Sequence, residues 1–425
     1  MSPKKCVLAG RLQLLISIFA LLFAARALAA TSGETVLYSF PGSSSGSNPY
    51  GGLIADAAGN LYGTTGGGGN STQCSLGSGC GTVFMLAPPS GTNTTWTETV
   101  LYNFRGATSK DGSGPQASLI FDAKGVLYGT TSTGGASSDG TVFKLTPPAT
   151  KGGAWAETVL HSFKGGTDGS NPASSLIFDT KGALYGTTPV GGANNFGIAF
   201  KLMPPTTGTT WAETILYTFK GLTDGGKPYG ALVLKGNNVY GTTLDGGLSS
   251  EGAVFELTAP TKVGSPWTES VLYSFTGAAD GGKPYANLIL DKAGNLYSTT
   301  GLGGAGGFGT VFKLTAPKTG TIWTESVLFS FGGGPDGSYA RSGLAFDTKG
   351  NLYGTTGVGT GNAGVVFELT PPKTGTVWPE VVLWTFSGGL DGGDATAGLV
   401  MVGANLYGTT SLGGQYGKGT IFEVP

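Results

Sequence analysis

The chain has 425 residues, with 79 glycines, 22 prolines, 11% aromatic and 12% charged side chains, and a formal net charge of -1. That much aromatic and β-branched content at so low a charge excludes a disordered chain. The near-neutral balance, with no basic cluster, excludes a surface that tracks a phosphate backbone, so nucleic acid is not an expected partner.

Residues 1–29 read as a secretory signal peptide. Lys4, Lys5 and Arg11 precede an apolar run over 12–25, and Ala27-Leu28-Ala29 offers a small-x-small cleavage site. The apolar run is shorter than the roughly 20 residues that span a bilayer. No later segment is long and apolar enough, so no transmembrane segment is expected after cleavage. The mature chain is therefore expected to be secreted or at the cell surface, with the periplasm as a further location. In such a compartment Cys74 and Cys80, which flank a short loop, are expected to form a disulfide.

The mature chain is a repeat. Leu61-Tyr62-Gly63-Thr64-Thr65 comes back at Leu127, Leu184, Val239, Leu296, Leu352 and Leu406, giving seven copies. One unit, 155–202, shows four strand signals in order. The first is Trp155-Ala156-Glu157-Thr158-Val159-Leu160-His161-Ser162-Phe163, rich in β-branched and aromatic residues. A turn carrying Asp168-Gly169 leads to Ser175-Leu176-Ile177-Phe178. The tight turn Asp179-Thr180-Lys181-Gly182 follows, then Leu184-Tyr185-Gly186-Thr187-Thr188. A glycine-rich loop over 189–197 precedes Ile198-Ala199-Phe200-Lys201-Leu202, and Pro204-Pro205 ends the ladder.

No helix pattern occurs in the unit. A four-stranded sheet cannot bury its own faces, but seven of them packed around an axis can. The prediction is an all-β fold: a seven-bladed β-propeller of four-stranded antiparallel blades, one domain over 30–425. A linear solenoid would need polar capping repeats. The ends favour a ring, because 34–40 is a lone first strand and 419–424 a lone last strand. The N-terminal strand is expected to pair with the C-terminal blade and to lie outermost. The 175–178 strand is then innermost, and the Asp-Gly turn shares one face with the glycine-rich loop.

The combination of Trp-x-Glu-Thr/Ser-Val-Leu-Tyr-x-Phe, Asp-Gly, Asp-x-x-Gly-Asn-Leu-Tyr-Gly-Thr-Thr and Gly-Thr-Val-Phe-Lys-Leu resembles the tandem GloVer (Gloeo/Verruco) repeat of bacterial choice-of-anchor exported proteins. The resemblance covers 34–425 in seven copies. It implies an exported β-propeller and brings no catalytic residues with it. Because the chain ends on Ile421-Phe422-Glu423-Val424 without a sorting tail, simple secretion is expected over anchoring. Leu119-Ile120-Phe121-Asp122 followed by Gly125-x-Leu127-Tyr128 is also similar to NHL-type propellers.

The Asp-Gly turns at Asp111, Asp168, Asp224, Asp280, Asp336 and Asp391 offer one carboxylate each. They read as turn residues bonding their own backbone rather than as calcium loops, which cluster several ligands. Trp96, Trp155, Trp211, Trp267, Trp323 and Trp378 each stand two residues before a glutamate, on the same strand face. They read as packing between blades rather than as a sugar-binding ring. His161, the only histidine, replaces the tyrosine seen at Tyr38, Tyr102, Tyr217 and Tyr273 and reads as a surface variant of that position. Neither a zinc site nor a hydrolase triad is expected from it, so no catalytic residue, metal site or cofactor is predicted.

Positions that differ between repeats point to recognition. Before the inner strands these are Tyr50, Gln116, Tyr229, Tyr285 and Arg341; in the glycine-rich loops they include Phe196, Phe308 and Tyr416. A cleft of tyrosines with one arginine at the channel mouth suits a sugar or a peptide. The expectation is a monomeric, non-enzymatic propeller that binds a polysaccharide or a surface protein at its loop face. One alternative is a polymer-degrading hydrolase or lyase in the central channel using Asp245, Glu251 and Asp394. Another is a structural surface component.

Overall fold

The computed structural model describes residues 33–425 except 75–78, 151 and 263. The predicted signal peptide lies outside the described residues. Seven four-stranded antiparallel sheets make a seven-bladed β-propeller, with one minor two-stranded ribbon beside them. Blades 1 to 6 occupy 54–103, 120–162, 177–218, 233–274, 289–330 and 345–385, and blade 7 combines 400–424 with 35–39. Among the described residues the only helical pieces are short 3-10 turns, and no helix is long and apolar enough to cross a membrane.

Blade 3 shows the order. Ile177–Phe178 pairs with Leu184–Thr188, which pairs with Ile198–Met203, which pairs with Ala212–Thr218. In blade 7 the N-terminal strand Thr35–Ser39 pairs with Thr420–Val424. The predicted closure is present, and with it the order from inner to outer strand.

The repeated Leu-Tyr-Gly-Thr-Thr strand is buried along its length because each residue has a separate task. Its glycine faces a phenylalanine on the third strand: a Cβ built on Gly186 would lie 2.6 Å from the tip of the Phe200 ring. Its tyrosine hydroxyl donates to a carboxylate of the same blade: the hairpin aspartate where there is one, as from Tyr62 to Asp56 at 3.0 Å, and a third-strand glutamate in blades 4 and 7, as from Tyr240 to Glu256 at 2.7 Å. Its first threonine reaches the next blade. Thr64 donates to Ala117 O at 3.1 Å, Thr242 to Ala286 O at 3.0 Å, and Thr409 of blade 7 to Gly51 O at 3.1 Å, so the last clasp closes the ring. Its second threonine bonds within the blade, as Thr65 does to Thr82 at 2.8 Å.

The core lies between blades. The phenylalanine that ends each outer strand meets the third-strand phenylalanine of the following blade edge to face. Phe40–Phe84 at 5.2 Å, Phe163–Phe200 at 5.2 Å and Phe386–Phe422 at 5.0 Å are examples of a set repeated around the ring. Such pairs add about 0.5–1.5 kcal/mol each beyond area burial. The tryptophans also bridge blades: Trp96 sits 6.0 Å from Tyr407 and Trp323 sits 6.1 Å from Tyr240, ring centre to ring centre.

Candidate functional site

Each blade is entered through a loop that leans on its predecessor. In blades 4 to 6 the residues Lys227, Lys283 and Tyr339 take left-handed φ values of 54°, 55° and 56°. Side chains normally avoid this region at a cost of about 1–2 kcal/mol. Here a hydrogen bond to the preceding blade holds it: Lys227 N donates to Phe196 O at 2.8 Å, Lys283 N to Glu251 O at 2.8 Å, and Tyr339 N to Phe308 O at 3.1 Å. After Lys227 and Lys283 a proline packs over the glycine that opens the preceding blade's third strand, Pro228 over Gly197 and Pro284 over Gly252. The backbone is thus fixed, and the side chains it carries are free to differ.

Where blades 4, 5 and 6 meet, those side chains converge on a cavity of about 270 Å³. Lys227, Asp245, Lys283, Tyr285, Tyr339 and Arg341 line it, together with Leu244 and Leu302. Asp245 is ion-paired with Lys227 at 2.8 Å and Lys283 at 3.0 Å, and Lys283 lies 3.8 Å from Glu251. Burial pushes the Asp245 carboxyl up, but the two lysines outweigh it and hold it below its ordinary value. The Arg341 guanidinium stacks 4.6 Å over the Tyr285 ring and 5.5 Å from Tyr339, with no ion pair to any described residue. Tyr229 leans against Tyr285 with ring centres 5.4 Å apart.

Of the residues singled out in the sequence, Tyr229, Tyr285 and Arg341 come together here. Tyr50 and Gln116 are exposed on other blades. Phe196 is half-buried, its ring laid against the Gly221 and Gly226 backbone. Phe308, 40% exposed, covers Gly333, and Tyr416 is 51% exposed on blade 7. Lys227, Lys283 and Tyr339 escaped the sequence reading, although they vary between repeats two residues before the tyrosine and arginine positions. For catalysis the acids are poorly set: Asp245 is neutralised by lysines, and Asp394 accepts the Ser411 hydroxyl at 2.6 Å in blade 7.

A second polar cluster repeats at the outer edge, between neighbouring blades. The Asp-Gly carboxylates do bond their own turns, as Lys220 N does to Asp224 at 3.0 Å and Thr276 N to Asp280 at 2.8 Å. The outer-strand tyrosine donates to the same carboxylate: Tyr102 to Asp111 at 2.8 Å, Tyr217 to Asp224 at 2.9 Å, Tyr273 to Asp280 at 3.0 Å. The glutamate of the next blade completes the slot. Burial, then the aspartate's charge, pushes Glu157, Glu269 and Glu325 up to about 7. Their Oε1 atoms are buried and accept no hydrogen bond.

His161 occupies this slot in blade 2. It is not a surface residue as expected: its side chain is 13% exposed and packs edge-on to Phe163 at 4.7 Å, as the tyrosines do on their phenylalanines. The position is aromatic because it props that phenylalanine. It is buried because the next blade's glutamate covers it, a contact between repeats that strand patterning in one repeat does not reveal. Burial pushes its imidazole down, with Asp168 pushing back, while burial and then Asp168 push Glu213 up to about 8. The predicted disulfide between Cys74 and Cys80 is formed, with Cα atoms 5.3 Å apart.

The model of the Gloeobacter/Verrucomicrobia repeat family matches residues 22–197 and 182–422. The chain belongs to this family. Comparison with curated proteins finds no match to this Gloeobacter/Verrucomicrobia repeat protein. Among solved structures, a protein of unknown function from Dyadobacter fermentans is similar at TM-score 0.42 and 12% identity, covering 93% of this chain and 99% of that one. A gluconolactonase from Xanthomonas campestris is similar at TM-score 0.41 and 15% identity, covering 78% and 89%. A sialidase from Trypanosoma rangeli, in complex with the inhibitor DANA, is similar at TM-score 0.42 and 11% identity, covering 93% of this chain and 60% of that one. None of them lends this repeat protein an activity.

Proposed function

We propose that the chain is an exported binding propeller that holds a carboxylate-bearing carbohydrate in the cavity of blades 4 to 6. Arg341 carries the reading. A guanidinium stacked on Tyr285 and lacking an acidic partner presents its N–H fork ready to bind a carboxylate in bidentate fashion. The rings of Tyr285 and Tyr339 supply apolar faces for a pyranose. A cavity of about 270 Å³ suits one unit of a longer chain. Binding is favoured over hydrolysis because a single carboxylate, Asp245, lines the cavity and is engaged by two lysines, where glycoside hydrolysis takes a pair of carboxyl groups. The Cys74–Cys80 disulfide supports an oxidising, extracytoplasmic location.

A glycan array probed with the purified secreted chain tests this. The expected result is retention of uronate-containing polysaccharides and not of their neutral counterparts. Silence across the acidic glycans, or equal retention of neutral ones, would overturn the reading.

A further inference from the structure

His161, Asp168 and Glu213 come from three elements of two blades. His161 lies on the outer strand Ala156–Ser162 of blade 2, Asp168 in the turn that follows, and Glu213 on the outer strand Ala212–Thr218 of blade 3. Imidazole Nε2 is 3.4 Å from Asp168 Oδ2 and 3.8 Å from Glu213 Oε1. The three donor atoms all fall within 4.8 Å of one another. Nε2 and Oε1 are both buried and make no hydrogen bond.

The sister blades show what this spacing leaves open. In blades 1, 3 and 4 a phenol reaches the aspartate and fills the slot with its hydroxyl, at 2.8 to 3.0 Å. Imidazole is shorter, stops at 3.4 Å, and aims a ring nitrogen at the place the hydroxyl holds elsewhere. Zinc bonds of about 2.0–2.1 Å to nitrogen and oxygen put tetrahedral ligands about 3.3–3.4 Å apart. The two separations from the imidazole, 3.4 and 3.8 Å, are near that edge, the two carboxylates lie within 4.8 Å of each other, and an inward shift of Glu213 would close the triangle. Two carboxylates and one imidazole supply three nitrogen and oxygen ligands, the number an open zinc site takes from the protein, in a set richer in oxygen than the usual histidine-dominated ones. Lys164 is the cation nearby: its charge acts on His161 and Glu213, and its backbone N donates to Asp168 Oδ2 at 2.8 Å. Asp168, 20% exposed, lies on the solvent side, where ion and water can enter.

We propose that His161, Asp168 and Glu213 bind one zinc-type divalent cation, which ties the outer strand of blade 2 to that of blade 3. The site is unique in the chain because the other blades lack the histidine. Its role is a staple, since its ligands come from the outer strands and turn of two neighbouring blades and none of them lines the cavity of blades 4 to 6.

Titration of the metal-stripped secreted chain with zinc chloride by calorimetry tests it, alongside thermal melts. The wild type is expected to bind one equivalent and to melt higher with zinc. His161→Tyr installs the residue of the sister blades, so it keeps the fold, and it should lose both the isotherm and the melting shift. Glu213→Gln removes a ligand and should weaken binding by more than the about 10–100-fold that loss of an outer-shell partner costs. Absence of a one-equivalent isotherm in the wild type, or the same isotherm in His161→Tyr, would overturn the proposal.

Discussion

Single residues in the repeated strand carry separate loads, and the heaviest is the inter-blade threonine. Thr355 is buried and donates to Ala397 O at 3.0 Å across the boundary between blades 6 and 7. Thr355→Val keeps the shape and strands a buried carbonyl, so it should cost about 1–3 kcal/mol. Urea unfolding reads this directly, and an unchanged midpoint would remove the clasp from the account. The tyrosine, threonine and glycine of this strand were legible as scaffold because every copy carries them or a near substitute. His161 was not, because its partners Asp168 and Glu213 lie across a turn and on the next blade. Spacing along one strand does not report such contacts.

At the level of the element, the outer strands share a row of half-buried glutamates, each with Oε1 shut off from solvent. Glu34, Glu98, Glu157, Glu269 and Glu325 are pushed up to about 7, first by burial. They face Asp391, Tyr38, Asp111, Asp224 and Asp280 respectively, with Arg105 beside Glu157 and Lys220 beside Glu269 as moderating cations. A carboxyl whose folded value lies above its ordinary one binds its proton more tightly when folded. Its contribution is complete below the ordinary value of 4.5 and is lost as pH rises through about 7. Thermal melts should therefore fall between pH 5 and pH 8, and Glu269→Gln should flatten part of that fall. A melting temperature that rises over this range would contradict the burial of these groups. Strand existence and order were legible from β-branched runs and Asp-x-x-Gly turns. The protonation of the glutamates was not, since it depends on the facing blade.

At the scale of the whole molecule, the ring closes through Thr35–Ser39 on Thr420–Val424, backed by the Thr409–Gly51 clasp. Removing residues 34–40 should expose the edge of the C-terminal strand and give a chain that self-associates. Size-exclusion chromatography would show it, and a monomer with the original melting temperature would count against closure. The architecture was readable because its period is long and its ends are split halves of one unit. The cavity of blades 4 to 6 was half readable. Tyr229, Tyr285 and Arg341 stood out as differences between copies, whereas Lys227, Lys283 and Tyr339 sit at a left-handed position whose side-chain direction only the fold supplies. The most direct test of a binding role there is calorimetric titration of one acidic oligosaccharide, retained on the array, into the wild type and into Arg341→Ala. Saturable binding by the wild type and its loss in the variant are expected; equal affinity in the two would remove Arg341 from the site.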